Sequence, residues 1–175
     1  MAVTAPINIH QWIEENRHLL KPPVGNASVY KQAGDFIVMI VGGPNNRKDF
    51  HYNETEELFY QFEGDIVVRI QDDGVIKDIP IKQGEMFLLP AKVPHSPQRG
   101  PNTVGLVVEK VRSGNEKDAF LWFCENCHEK LYEEFLDMTD IVAQLPPLMA
   151  RFYEDADKRT CKKCGTVMEP PAPKQ

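Results

Sequence analysis

Between residues 36 and 109 the chain breaks into short apolar runs rich in Val, Ile and Phe, each closed off by Gly, Pro, Asn or Asp. The runs are 36–41, 57–62, 66–70, 75–79, 86–89 and 104–109. Runs this short, at this spacing, cannot all be helices, and they predict an antiparallel β-sandwich or barrel. Asp72-Asp73-Gly74, between two of them, predicts a hairpin turn. Ahead of the runs, Ile9, Trp12, Ile13, Leu19 and Leu20 recur near the helical period. They predict one short amphipathic helix within 7–20, capped by Asn8 and stopped by Lys21-Pro22-Pro23.

The 175 residues suit one full domain plus an appendage. Net charge is −6, with no long basic run, which argues against a nucleic-acid partner. No apolar stretch is long enough to span a bilayer. Residues 1–11 lack the basic start and apolar core of a signal peptide, so the cytoplasm is the expected location. The texture predicts four segments: a helix and linker over 1–30, a barrel over 31–118, a cysteine-containing extension over 119–168 and a disordered tail over 169–175. Within the extension, Met138, Ile141, Val142 and Leu145 predict a helical turn or two. Pro146-Pro147 should interrupt it before Leu148, Met149, Phe152 and Tyr153 resume the helical spacing.

Two groups of residues carry chemistry. His51 and Glu57 are too far apart for one helical face, but strand, turn and strand can bring them together. His95, in Pro94-His95-Ser96-Pro97, follows a strong strand, so a barrel wall could point all three inward. Two imidazoles and a carboxylate on one side of an ion leave its other positions open, as in non-haem Fe(II) oxygenases. Each residue taken alone could equally be a surface or hydrogen-bonded side chain. The second group is Cys124-x-x-Cys127 with Cys161-x-x-Cys164, four thiolates that fit a closed tetrahedral ion, iron or zinc. His128 adjoins Cys127, but the four sulfurs already fill the tetrahedron.

His51-x-Asn53-x3-Glu57-x6-Gly64 resembles the first motif of the cupin superfamily, and Gly84-x5-Pro90-x4-His95 resembles the second. Asn53 stands where many cupins have another histidine, and Lys92 and Arg99 stand where the second motif often has Gly and Asn. Four further segments closely resemble the 3-hydroxyanthranilate dioxygenase family: Leu20-Lys21-Pro22-Pro23-Val24, Ile40-Val41-Gly42-Gly43-Pro44-Asn45, Leu88-Leu89-Pro90 and Pro94-His95-Ser96-Pro97-Gln98-Arg99. The likeness runs from the first helix through the second cysteine pair.

That resemblance implies a cupin-type antiparallel barrel with an N-terminal helix and a small C-terminal metal-binding extension. It implies Fe(II) on His51, Glu57 and His95, and an aromatic substrate opened with O₂. Arg47, Arg99 and Glu109 would bind the substrate, Glu109 also accepting a proton. The implied product, 2-amino-3-carboxymuconate 6-semialdehyde, cyclises to quinolinate, which belongs to tryptophan catabolism and NAD synthesis. A rubredoxin-like iron at the four cysteines and a homodimer are also implied. Two alternatives stay open on the residues: another metal-dependent cupin enzyme, and a metal-dependent small-molecule sensor without catalysis.

Overall fold

The computed structural model describes residues 3, 5–22, 25–31, 34–139 and 141–172; the side chains of residues 141 and 142 are outside that description. Eleven strands run β1 (Asn26–Ser28), β2 (Phe36–Gly42), β3 (Phe50–Tyr52), β4 (Glu57–Glu63), β5 (Ile66–Asp72), β6 (Val75–Ile81), β7 (Met86–Leu89), β8 (His95–Arg99), β9 (Val104–Lys110), β10 (Asp118–Phe123) and β11 (Lys130–Leu136). They form two antiparallel sheets, ordered β1-β2-β9-β4-β7 and β11-β10-β3-β8-β5-β6. The expected mainly-β, antiparallel architecture with an N-terminal helix is what the chain adopts.

All six expected runs are strands, and β4 and β9 show the alternation of inward and outward side chains that the pleat imposes. β4 buries Glu57, Phe59 and Gln61 while Leu58 and Tyr60 turn outward. Phe59, Ile66, Val68, Ile81, Leu89 and Val107 meet between the sheets as one core. The β5–β6 hairpin turns on Asp73 and Gly74, both at positive φ, which fits a two-residue primed turn. α1 (Ile9–Asn16) continues as a 3-10 turn over Arg17–Leu20, and Asn8 Oδ1 accepts from Gln11 N–H. Ile13 and Leu20 are buried with Ile40 and Val104, which seats this segment on the five-stranded sheet. Pro23, part of the expected stop, lies outside the described residues.

The prolines do not interrupt the second helix. α2 (Ile141–Tyr153) runs through Pro146 and Pro147. Each proline removes one N–H from the helical ladder, at a cost of about 3 kcal/mol in a helix interior. Tertiary packing opposes that cost: Leu148 and Phe152 are fully buried against Phe120, Trp122 and Met168, and Phe152 stacks on Trp122 with centroids 4.4 Å apart. A short helix, α3 (Ala156–Arg159), leads to the second cysteine pair. Of the expected tail, residues 173–175 lie outside the described residues, while the Ala172 carbonyl accepts from Asn46 Nδ2.

Candidate active site

Strands of both sheets bring the first metal group together. His51 lies on β3 and His95 on β8, paired directly across these neighbouring strands, while Glu57 begins β4 in the facing sheet. Their donor atoms all fall within 4.8 Å of one another, and among the described residues this group has three members. Glu57 and His95 are buried, and His95 Nε2 lies 3.1 Å from Glu57 Oε2. His95 Nδ1–H donates to the Val93 carbonyl at 3.0 Å, so the Nε2 lone pair faces inward. His51 Nε2–H donates to Asp118 Oδ2 at 2.6 Å, which leaves Nδ1 as its free ring nitrogen. The Phe120 ring stacks on the His51 imidazole. Asn53, at the position where many cupins have another histidine, is buried and donates to Glu57 Oε2 at 3.2 Å.

Burial alone would raise the Glu57 carboxyl, but His95, His51 and Arg47 outweigh it and lower its pKa to about 2. Its register partner across β4 and β9 is Glu109, also buried. Burial, reinforced by the Glu57 charge, raises the Glu109 pKa against the opposing pull of Arg112. Arg112 Nη1 sits 2.6 Å from Glu109 Oε2, yet that oxygen receives no aligned hydrogen bond. Glu109 therefore has a charge partner, and its Oε2 is buried without an aligned hydrogen bond.

Arg99, at the end of β8, is buried, and burial lowers its pKa to about 10. Its Nη1–H donates to Gln61 Oε1 at 3.3 Å. Arg47 lies on the loop between β2 and β3 and pairs with the buried Asp49 at 2.5 Å. Asn45 clamps that loop to β8: its N–H donates to the Arg99 carbonyl, its Oδ1 accepts from Arg99 N–H and its Nδ2 donates to the Pro97 carbonyl. Pro97 is tolerated in β8 because β3 pairs with that strand only at His51–His95.

The second metal group is also assembled. Cys124, Cys127, Cys161 and Cys164 present sulfurs within 4.8 Å of one another, Cys124 facing Cys164 and Cys127 facing Cys161 at 3.5 Å. Sequence reading missed Asp118, Arg112, Gln61 and Asn45 as supports of the site. Asn45 sat inside a recognised segment; the others carried no local pattern, because their partners are on other strands.

The sequence family described as 3-hydroxyanthranilic acid dioxygenase matches residues 1–153. Among curated relatives, a protein of Xanthomonas euvesicatoria named 3-hydroxyanthranilate 3,4-dioxygenase is 52% identical over 170 residues, 97% of this chain and 94% of its own. One of the same name from Candida albicans is 48% identical over 167 residues, 95% of this chain and 96% of its own. Among solved structures, a cupin-2 domain protein from Shewanella frigidimarina matches with a TM-score of 0.48 and 19% identity, over 60% of this chain and 94% of that one.

Proposed function

We infer that this chain, which belongs to the 3-hydroxyanthranilic acid dioxygenase family, opens the ring of 3-hydroxyanthranilate with O₂ to give 2-amino-3-carboxymuconate 6-semialdehyde. The observation that carries the reading is the convergence of His51, Glu57 and His95 in the barrel, flanked by Arg99 and Glu109. The product would feed quinolinate formation. Both oxygen atoms of one O₂ enter the product as the bond between the hydroxyl-bearing carbon and C4 breaks, so no external reductant is consumed.

The donor set fits Fe(II). Two imidazoles and a carboxylate are hard-to-intermediate ligands, and three of them leave room for other groups. Glu57 stays charged under burial, as a ligand to a cation must. Fe(II) bound there supplies the one-electron chemistry that lets triplet O₂ react with a closed-shell ring.

The chain's own residues bind and orient the ring. Arg99 offers a planar fork to the substrate carboxylate, and burial strengthens that pairing. Arg47, on the same loop as Asn45, would serve as a second cation for the same group. Glu109 Oε2 is a buried acceptor for the proton leaving the ring hydroxyl or amine, and its raised pKa suits it to hold that proton. At the four cysteines we assign a structural iron or zinc, since a closed set of thiolates has no place for substrate.

The outer face of the five-stranded sheet exposes Phe36, Met86 and Leu88, which supports a homodimer through that face. No helix of the described residues is long and apolar enough to cross a membrane, and a cytoplasmic site of action accords with thiolates kept for a metal. The activity is tested by loading the protein anaerobically with Fe(II), adding 3-hydroxyanthranilate and air, and following absorbance of the ring-opened product. Turnover that depends on Fe(II) supports the reading. An inert mixture with metal bound at the triad overturns it.

A further inference from the structure

The segment between β9 and β10 crosses from one sheet to the other, and its composition reads as a plain polar link. Arg112 opens this crossing and Asp118 closes it. Asp118 is 1% exposed. It accepts from Arg112 Nε at 2.8 Å and from Arg112 Nη2 at 2.5 Å, a two-pronged pairing, while also accepting from His51 Nε2. The third nitrogen of the same guanidinium, Nη1, donates to the Lys110 carbonyl at 3.2 Å and lies 2.6 Å from Glu109 Oε2. One cation thus touches two buried carboxylates from opposite sheets. One of those carboxylates fixes a metal-ligand imidazole, and the other is the acceptor beside the ring.

We propose that Arg112 is a positioning residue for both halves of the site, orienting His51 through Asp118 and fixing Glu109 directly. The physical need is plain. Glu57 and Glu109 are register partners on adjacent strands, so two buried carboxylates lie side by side. Like charges opposed this way repel, and an ion can neutralise the Glu57 side only. Arg112 supplies the counter-charge on the other side. Its fork spans both oxygens of Asp118 and shares Oδ2 with His51, so the carboxylate is held in one orientation and the imidazole inherits it. An outer partner of a ligating histidine of this kind is worth about 10–100-fold in metal affinity. A lysine would keep the charge but offers one nitrogen in place of a planar fork, so it could not span both carboxylates.

The inference rests on His51, Glu57 and His95 as the metal site proposed above, and its test is a metal measurement that stands whether or not 3-hydroxyanthranilate is the substrate. Wild type, Arg112→Gln, Arg112→Lys and Asp118→Asn are loaded with Fe(II) without oxygen and titrated with a colorimetric Fe(II) chelator. Release is read as two steps, one for the triad and one for the four cysteines. The triad step should shift by about 10–100-fold in Asp118→Asn and Arg112→Gln and by less in Arg112→Lys, with the cysteine step fixed. Should Arg112→Gln not fold, Arg112→Lys and Asp118→Asn decide alone. In turnover with saturating Fe(II), Arg112→Lys should lower kcat more than it raises KM. Wild-type iron release at the triad in the folded variants, with only melting temperature lowered, would reduce Arg112 to a structural ion pair and overturn the proposal.

Discussion

Glu57 and Glu109 stand opposite each other on β4 and β9, both buried, with their carboxyls driven in opposite directions: Glu57 down to about 2 and Glu109 up. Two like groups in one site have been given two protonation tendencies by their neighbours, imidazoles for one and apolar burial for the other. In the proposed site, that divergence suits a ligand that must stay charged and an acceptor that must take a proton. Glu57→Ala should remove the charged ligand. The expected result is loss of iron from the triad and a fall in kcat/KM of about two orders of magnitude or more. Metal analysis and kinetics on the same preparation check this, and an iron-replete, active variant would remove Glu57 from the ligand set.

Gly105 on β9 makes room for the Gln61–Arg99 pair. A Cβ there would lie 2.3 Å from Gln61 Oε1 and 3.0 Å from Arg99 Nη1. β9 is paired on both sides, so its backbone cannot retreat. Gly105→Ala should therefore displace Arg99 and cost about 1–3 kcal/mol of stability by overpacking. A rise in KM of about tenfold should accompany it, equivalent to about 1.4 kcal/mol of substrate binding. Denaturant unfolding and steady-state kinetics test both, and an unchanged KM would detach Arg99 from the substrate.

The triad was legible because cupin-like spacing sets His51 and Glu57 on consecutive strands and His95 on β8, which pairs with β3. The strands that carry the histidines were not. β3 has three residues, too few for alternation, and β8 reads His-Ser-Pro-Gln-Arg because its inward face lines a polar site rather than the core. β10 buries all six of its residues, so it shows a continuous run rather than a pleat pattern. Arg112 and Asp118 were invisible for a different reason. Their roles exist only after two sheets close on each other, and no local pattern records that. The expected break at Pro146-Pro147 fails because the helix is stabilised by Phe152 stacking on Trp122, which is distant in sequence.

Cys161→Ser should act on the extension. Removing one of four thiolates opens the tetrahedron, so metal content at that site should fall and the melting temperature with it. Protein that remains folded and holds iron at the triad should keep kcat within about twofold, since the sulfur site lends nothing to the ring chemistry. Metal analysis, thermal melting and turnover per triad iron separate these effects. Loss of turnover in folded, triad-loaded protein would contradict the structural assignment.

Tyr153 supplies a test in alkali. Burial raises its phenol to about 12, although its oxygen accepts from Trp122 Nε1–H at 3.1 Å, which works the other way. Unfolded tyrosine titrates near about 10. Because the folded value is the higher one, the folded chain keeps this proton after the unfolded chain has lost it. The associated stabilisation is complete below about pH 10 and is lost as pH rises toward 12. Urea unfolding of wild type and Tyr153→Phe across that window should show wild type losing stability faster. Parallel curves would mean that the phenol is not held in its burial site.

The most direct measurement of the account is isotopic. Fe(II)-loaded protein is mixed with 3-hydroxyanthranilate under ¹⁸O₂, and the product is trapped and weighed by mass spectrometry before its aldehyde exchanges with water. The account predicts both labelled atoms in one ring-opened product, with one O₂ consumed per substrate. Incorporation of a single atom, or oxidation of the substrate with no label retained, would contradict it.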